Sequence, residues 1–281
     1  MRVLILIAVI LVAATAKAHA QTTGTNQAPI CWTPEQQRGT AGEIAPRVGA
    51  RGAGIPPPRR TLAPFAAISS ELRGVIRRVT LPDGKKLVAL TFDLCEATHE
   101  IAGYDGRIID YLRENGIKAT FFAGGKWLLT HSERAQQIIA DPLFEIANHG
   151  WRHSDFKSLS GKRLHQEAEF SQAAYEEIRA RLVKRQCRVD ANAAKSQTPE
   201  RMTLLRFPYG TCNAPALEAV AEAGLVAIQW DVATGDPSPG RSARAIASRV
   251  CGVRAQVPSY WGMPMAVAGT PRLHSQYSCR L

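Results

Sequence analysis

Residues 119–153 read ATFFAGGKWLLTHSERAQQIIADPLFEIANHGWRH, and the order of patterns within them indicates the architecture of the chain. The apolar run ATFFA predicts a buried strand over 119–123. Ser132 is a candidate N-cap for a helix over 132–140, and a second apolar run predicts a strand over 144–147. A strand, a helix and another strand in this order are typical of a parallel sheet with crossover helices.

The same alternation of strand and helix patterns extends in both directions from this stretch. Strands are predicted over 86–92, 203–207 and 225–232, and helices over 104–112, 159–183 and 214–223. We therefore expect an α/β fold with a mainly parallel sheet. Barrels and open sheets of this class place their functional sites at the carboxyl ends of the strands.

The first twenty residues have the pattern of a signal peptide. Arg2 precedes an apolar run over 4–14, and Ala18-His19-Ala20 matches a cleavage site. We expect residues 1–20 to be removed and the mature protein to be exported, to the periplasm or outside the cell. The apolar run is too short to span a bilayer comfortably, so no transmembrane segment is expected after cleavage.

The chain is strongly basic, with a formal net charge of +11 over 281 residues. Loss of Arg2 and Lys17 with the signal peptide lowers this charge to +9. An excess of this size favours contact with an anionic surface, here that of the cell envelope, while export argues against a nucleic-acid partner. Residues 21–61 are rich in Pro, Arg and Gly and predict a disordered linker before a globular domain over 62–250.

Polar side chains that can carry chemistry follow four of the predicted strands. They are Asp93 and Glu96 after the first strand, His149 and His153 after FEIAN, Arg206 after LL, and Asp231 and Asp236 after IQW. On a helix, the spacing of His149 and His153 would turn both rings toward one divalent metal. The turn at Pro208-Tyr209-Gly210 can aim backbone N–H groups at an oxyanion. Each feature alone has an ordinary structural explanation, but their combination is specific.

Taken together, these motifs resemble those of the polysaccharide deacetylase (NodB-homology) family of carbohydrate esterase family 4 type. The matching segments are TFDLCE at 91–96, HGWRH at 149–153, RFPYG at 206–210 and WDVATGD at 230–236. The resemblance implies a distorted (β/α) barrel and a divalent metal, most often Zn²⁺. It also implies an acetylated glycan substrate and hydrolysis of N-acetyl groups on N-acetylglucosamine units, as in chitin-like glycans or peptidoglycan.

The resemblance also implies a role for each candidate residue. Asp93 matches the general base, and His149 and His153 match the metal ligands. Arg206 matches the residue that holds the base in place, and Asp236 matches the partner of that arginine. The backbone N–H of Tyr209 matches the donor to the oxyanion.

One position departs from the family pattern. Leu94 stands where the family has the aspartate that serves as third metal ligand. Glu96 is the nearest carboxylate and is our expected replacement, whereas the alternative assigns the metal to Asp93 and the base to another residue. A further alternative is an exported glycan-binding pseudoenzyme without deacetylase activity.

The six cysteines bear on export and on the metal site. Export permits disulfides, but the sequence does not determine how the cysteines pair. Because the chain has no CxxC or zinc-ribbon spacing, we expect no cysteine metal site. Cys95 follows the first motif and Cys212 follows the third, so we expect these two to form a disulfide across the barrel mouth.

Residues 251–281 do not follow the family pattern and suggest a shifted reading frame. The family ends in a strand followed by a histidine that acts as general acid, whereas no strand pattern precedes His274 here. Met and Trp each have a single codon, which restricts what the codons of residues 260–266 can encode when they are read one base earlier. The segment Leu-Gly-His-Ala-Asn-Gly satisfies these restrictions. With permitted codons, residues 256–276 recode as GSIVLGHANGRGWHTAAALP. We therefore expect a frame-shifted tail and a barrel that lacks its last strand.

The nucleotide sequence of the gene tests this hypothesis directly. We expect the shifted frame to encode the strand and the histidine, since the recoded segment has the expected pattern. A shifted frame that encodes neither would refute it, as would a well-packed barrel strand over 256–281 with His274 at the metal.

Overall fold

The computed structural model describes residues 30–48, 56–57, 66, 68–81, 87, 89–187, 198–236, 240–255 and 267–268, with the backbone alone for 251–255 and 267–268. The predicted signal peptide over 1–20 lies outside the described residues, as do His274 and most of the predicted frame-shifted tail. Within the described residues, no helix is both long enough and apolar enough to cross a membrane.

Strands and helices alternate through the described residues. The strands are β1 Arg47–Val48, β2 Val75–Ile76, β3 Thr91–Leu94, β4 Glu100–Ile101, β5 Ala119–Ala123, β6 Phe144–Asn148, β7 Leu204–Leu205, β8 Val226–Ile228, β9 Val232–Ala233 and β10 Val267–Ala268. The helices are α1 Pro34–Gln37, α2 Gly106–Glu114, α3 Gly125–Thr130, α4 Ser132–Ala140, α5 Gly161–Lys184, α6 Ala214–Glu222 and α7 Ala243–Ala255. Short 3₁₀ turns cover Ala41–Glu43, Ser70–Leu72, Phe156–Ser158 and Pro208–Gly210.

The main sheet is parallel and curls into part of a barrel. Its strand order is β2-β8-β7-β6-β5-β3, and every neighbouring pair runs in the same direction. The prediction of a parallel α/β fold of barrel type is therefore confirmed. Because all six strands point the same way, the residues that follow β3, β6, β7 and β8 meet at one edge of the sheet.

Helix α3 was not predicted, and it begins at Gly125, directly after Gly124. The structure requires a small residue at 125 for packing. A Cβ on Gly125 would lie 2.5 Å from the Trp151 ring and 2.6 Å from the Cα of Ser171. The glycine thus lets α3 begin directly against the loop after β6 and against α5.

The core has two hydrophobic clusters, and α5 contributes to both. The larger cluster lies around β3, β5 and β6 and includes Phe92, Phe121 and Trp127. The smaller lies around β7, β8 and α6, where Phe156 and Phe207 pack edge to face with ring centroids 5.3 Å apart. Burial on both sides fixes the position of the sheet relative to its helices.

Residues 30–48 are ordered, so the prediction of a disordered linker over 21–61 is wrong for this segment. Trp32 is buried, and the guanidinium of Arg134 on α4 donates to both carboxylate oxygens of Glu43 at 2.8 Å. Arg134 also donates to the carbonyls of Gln36, Gln37 and Arg38. Composition did not predict this ordered segment because the segment lacks apolar periodicity. Hydrogen bonds from one buried arginine, Arg134, to its backbone carbonyls hold it instead.

A disulfide fastens the same segment to the end of α5. Cys31 and Cys187 are bonded, with their Cα atoms 4.9 Å apart and 156 residues of sequence between them. The predicted Cys95–Cys212 disulfide is wrong, since both of these cysteines are free. Cys212 packs against the smaller core cluster, while Cys95 lies near two histidines.

The tail after residue 250 is described only in part. Helix α7 continues past the predicted domain boundary to Ala255. Strand β10 pairs in parallel with β9, with Val267 opposite Val232 and Ala268 opposite Ala233. Because the remaining residues of 256–281 lie outside the described residues, the frame-shift hypothesis stays a prediction.

We expect Cys31→Ser to lower the free energy of unfolding by about 2–5 kcal/mol, because the disulfide closes a long loop in the unfolded chain. Cys212→Ser is the matched control and should have a much smaller effect, since Cys212 is free. Urea unfolding of the two variants, compared at constant slope, measures the difference. Equal midpoints for both variants would show that the disulfide contributes nothing to stability.

Candidate metal site and catalytic residues

The end of β3 presents alternate side chains to opposite faces of the sheet. Leu94 is 3% exposed and belongs to the larger core cluster, while Asp93 and Cys95 on either side of it are half-buried. Since residues two apart in a strand share a face, Asp93 and Cys95 both point away from that core. Leu94 is thus a core residue here, in keeping with an apolar side chain at this position.

The backbone at the end of β6 holds His149 rigidly. Its N–H donates to the carbonyl of Ala123 at 3.1 Å, and its Nδ1 donates to the carbonyl of Arg206 at 2.9 Å. This bond places the ring proton on Nδ1 and leaves a lone pair on Nε2. The Nε2 atom is buried and has no hydrogen-bond partner.

His153 reaches the same place through a loop. The prediction that a helix aligns the two histidines is wrong, because Gly150 and His153 adopt positive φ values of 75° and 61°. Glu167 on α5 holds this loop by accepting from the backbone N–H of Trp151 at 2.9 Å and from the Ser154 hydroxyl at 2.8 Å. The two imidazole rings nevertheless meet, with centroids 5.1 Å apart.

Burial keeps both imidazoles neutral near pH 7. It lowers the pKa of His149, while the charge of Asp93 and the hydrogen bond to the carbonyl of Arg206 oppose that shift and the charge of Arg206 adds to it. Burial, followed by the neighbouring His149, lowers the pKa of His153 to about 4. A neutral imidazole has a free lone pair, which is the form that binds a metal.

Arg206 pairs with Asp93, as the sequence predicted for the base and the residue that holds it. Its Nη1 donates to Asp93 Oδ1 at 2.7 Å, and its Nη2 donates to the hydroxyl of Thr91 at 3.0 Å. The guanidinium carbon lies 3.9 Å from the centroid of the Phe122 ring. These contacts leave Asp93 Oδ2 at 3.9 Å from His149 Nε2.

Tyr209 lies at the same edge of the sheet. Its φ of 60° and ψ of 0° are left-handed, and its ring centroid is 4.5 Å from that of His153. The next residue must be glycine, because a Cβ on Gly210, at φ 71°, would lie 2.5 Å from the Trp230 ring. The RFPYG motif therefore adopts a tight turn whose shape depends on this glycine.

Asp236 is buried and accepts a hydrogen bond from the hydroxyl of Thr234. Its charge also contributes to the electrostatics of the site, as one of the groups that raise the pKa of Cys95. The predicted pairing of Asp236 with Arg206 stays a prediction.

Glu96 does not join the histidines, and the prediction that it supplies the third ligand is wrong. Its side chain is fully buried, with Oε1 3.1 Å from Nζ of Lys126. Its Oε2 accepts from the Thr130 hydroxyl at 2.7 Å and from the backbone N–H of Ala102 at 3.2 Å. The buried ammonium of Lys126 requires a carboxylate, which turns Glu96 into the protein rather than toward the site.

Cys95 is the residue that the sequence reasoning missed. Among the described residues, the ligand atoms of Cys95, His149 and His153 all lie within 4.8 Å of one another. Burial, then the negative charge of Asp93, raises the pKa of the free Cys95 thiol to about 12. The alternation of side chains along a strand could have identified Cys95, because residues 93 and 95 share one face. The prediction considered only CxxC and zinc-ribbon spacing.

The residues present fit a divalent metal. His149 offers a buried, unpartnered Nε2, and His153 and Cys95 offer nitrogen and sulfur donors beside it. Nitrogen and sulfur are the donors of protein zinc sites. A cation at this position would satisfy the Nε2 of His149, a buried nitrogen that has no hydrogen-bond partner among the described residues.

Curated relatives match more than half of the chain. A chitooligosaccharide deacetylase from Rhizobium leguminosarum bv. phaseoli is 30% identical over 162 residues, covering 57% of this chain and 61% of that protein. A chitooligosaccharide deacetylase from Bradyrhizobium sp. (strain ANU 289) is 26% identical over 171 residues, covering 61% of this chain and 68% of the relative. The chain thus spans about three fifths of the length of the first relative.

Solved structures share the fold. The chitin deacetylase of Colletotrichum lindemuthianum has a TM-score of 0.52 and 20% identity, covering 70% of this chain and 77% of that one. A carbohydrate esterase family 4 pseudoenzyme from Bacillus anthracis has a TM-score of 0.51 and 21% identity, covering 70% of this chain and 58% of that one. At these identities the likeness concerns the fold alone.

The family model for polysaccharide deacetylase matches residues 80–228, which is more than half of the chain. This region contains β3 to β8 and hence Asp93, His149, His153, Arg206 and Tyr209. The chain, with its half-barrel sheet and its site at the carboxyl ends of the strands, therefore belongs to the polysaccharide deacetylase family.

Proposed function

We propose that the protein is a metal-dependent hydrolase that removes N-acetyl groups from N-acetylglucosamine-containing polysaccharide. The substrate class is peptidoglycan or a chitin-like glycan. Family membership supports the reaction class, and the chitooligosaccharide deacetylases among the relatives support an acetylated glycan as substrate.

One observation carries this proposal: the buried, unpartnered Nε2 of His149 faces the carboxylate of Asp93 across 3.9 Å. A base and an unpartnered nitrogen donor at this separation can both contact one small reacting group that lies beside them. His153 and Tyr209 border the same space, since the Tyr209 ring contacts that of His153. The arrangement suits hydrolysis of a carbonyl compound that enters beside Tyr209.

His149 and His153 would hold a divalent cation, which would supply Lewis-acid chemistry toward a carbonyl oxygen and a water molecule. Asp93 then has the role of base. Its Oδ1 is occupied by Arg206, so Oδ2 is the oxygen that takes the proton of the attacking water. The hydrogen bond from the buried guanidinium of Arg206 keeps Asp93 oriented during the reaction.

The turn that contains Tyr209 provides the other half of the site. In our proposal the backbone N–H of Tyr209 donates to the oxygen that becomes negatively charged when water attacks. A donor fixed by a tight turn costs no reorganisation at that moment, which is why such donors lower barriers. The exposed Tyr209 ring, 63% accessible, is available to the sugar substrate.

We further propose that the protein acts outside the cytoplasm, against an anionic cell-envelope surface. The Cys31–Cys187 disulfide supports this location, because such bonds persist in oxidising compartments. The formal net charge, +11 for the full chain and +9 without residues 1–20, supports the electrostatic attraction. Both observations agree with the signal-peptide pattern at the start of the chain.

A glycan-binding pseudoenzyme is the second candidate, and Leu94 is the observation that favours it. A core leucine stands where the family has a ligand carboxylate, and Glu96 does not replace that carboxylate. The two candidates differ in a single measurable outcome, because binding alone releases no acetate.

Acetate release decides between them. The purified chain is incubated with chitooligosaccharide, peptidoglycan and partially acetylated polyglucosamine, and free acetate is quantified. We expect release from at least one substrate and its loss after chelation. Glycan binding without acetate release, in a sample that contains metal, would support the pseudoenzyme.

We expect His153→Ala to lower acetate release about a hundredfold or more while the fold persists, because the imidazole is a ligand at the mouth of the site. The matched control is His165→Ala, an exposed histidine of α5. Bound metal is quantified alongside activity. Full activity and stoichiometric metal in His153→Ala would contradict the ligand assignment.

We expect Asp93→Asn to lower kcat by about 10²–10⁴-fold while the bound metal is retained, since a base matters for turnover more than for metal binding. The asparagine keeps an oxygen that can accept from Arg206. Kinetics and metal content are measured on one preparation. Loss of metal in this variant would instead make Asp93 a ligand, as the alternative from the sequence holds.

A further inference from the structure

The position of Cys95 follows from the strand that precedes it. β3 ends at Leu94, whose side chain is buried in the larger core cluster. Because neighbouring side chains of an extended chain alternate, Cys95 lies on the opposite face, the one that also carries Asp93. Cys95, which lies near the histidines, therefore directly follows Leu94, the position at which the chain departs from the family motif.

The sulfur is close enough to both histidines to share an ion with them. The ligand atoms of Cys95, His149 and His153 all lie within 4.8 Å of one another. The Nε2 of His149, whose side chain is 1% exposed, is unpartnered and buried at this point. A buried nitrogen without a hydrogen bond is unfavourable, and a bound cation removes that cost.

Neither of the two neighbouring carboxylates belongs to this group of ligand atoms. Asp93 Oδ1 accepts from Arg206 at 2.7 Å, and Asp93 does not belong to the group of atoms within 4.8 Å. Glu96 is bound to Lys126 and Thr130 inside the protein. Lys126 also donates to the carbonyls of Ala97 and Glu100, so these contacts hold the chain that directly follows Cys95.

We propose that the thiolate of Cys95 is the third protein ligand of the metal, which gives a His₂Cys set in place of the carboxylate expected from the sequence. This inference rests on the proposed function in using the same histidine pair. It goes beyond that function by assigning to this chain a donor atom of a different chemical class.

Metal binding by Cys95 releases one proton. The S–H bond of Cys95 breaks, its proton passes to the solvent, and a sulfur–metal bond forms with no change of oxidation state. A set with one sulfur and two nitrogens favours zinc over magnesium, calcium and manganese, which prefer oxygen ligands. Asp93 remains available as base, because it does not serve as a ligand.

Optical and X-ray absorption spectra of the metal-loaded full chain test this proposal independently of activity. Loaded with Co²⁺, the chain is expected to show a near-ultraviolet thiolate-to-cobalt charge-transfer band at one equivalent. Loaded with Zn²⁺, it is expected to show one sulfur neighbour at about 2.3 Å. The visible bands of Co²⁺ report the binding itself, whichever atoms are ligands.

Three variants assign the sulfur. Cys95→Ser should lose the charge-transfer band and weaken metal binding by at least about tenfold, since even indirect partners of a ligand contribute that much. Cys212→Ser, the matched control at the other free cysteine, should keep both. Cys95→Asp should bind metal without the band and with a smaller preference for Zn²⁺ over Mn²⁺.

The outcomes separate the ligand from the function. One equivalent of Co²⁺ bound without a charge-transfer band overturns the cysteine ligand, while metal-dependent acetate release would leave the proposed function intact. A band that persists in Cys95→Ser also overturns it. A chain that binds no metal and releases no acetate overturns both proposals together.

Discussion

The site depends on Arg206, which connects three strand ends through both its side chain and its backbone. Its guanidinium donates to Asp93 near the end of β3, and its carbonyl accepts from His149, which follows β6. The side chain is fully buried over Phe122, so removal of either charge would leave the other uncompensated, at a cost of about 3–5 kcal/mol. One residue thus sets the orientation of the Asp93 carboxylate and the tautomer of the buried His149 imidazole.

A second buried ion pair, Glu96–Lys126, stabilises the end of the TFDLCE segment at 91–96. Glu96 and Lys126 meet at 3.1 Å inside the protein, and Thr130 and the backbone N–H of Ala102 satisfy the carboxylate further. Lys126 also holds the carbonyls of Ala97 and Glu100. The loop that follows Cys95 is therefore tied to α3. This polar network therefore helps to position Cys95, which directly precedes Glu96 in the sequence, although no member of the network reaches the histidines.

The sequence alone determined the class of fold, the edge of the sheet where the site lies and most of the residues there. Apolar runs separated by helical patterns predicted parallel strands, and parallel strands bring Asp93, His149 and Arg206 together by topology. These inferences needed only periodicity and strand direction. The same reasoning failed for residues 30–48, where a disulfide and the bonds of Arg134 replace the apolar periodicity that it requires.

Only the tertiary structure decided which side chains meet. Glu96 is the carboxylate nearest in sequence to Leu94, the position of the family's ligand aspartate. The buried ammonium of Lys126 on α3 pairs with Glu96 and holds it in the interior. Cys95 reaches the histidines because Leu94 is buried on the other face of β3, and burial is settled by the helices packed there. Likewise, the two histidines meet through positive φ values in a loop rather than through helical spacing. Distances between residues far apart in the chain depend on packing, which no local pattern encodes.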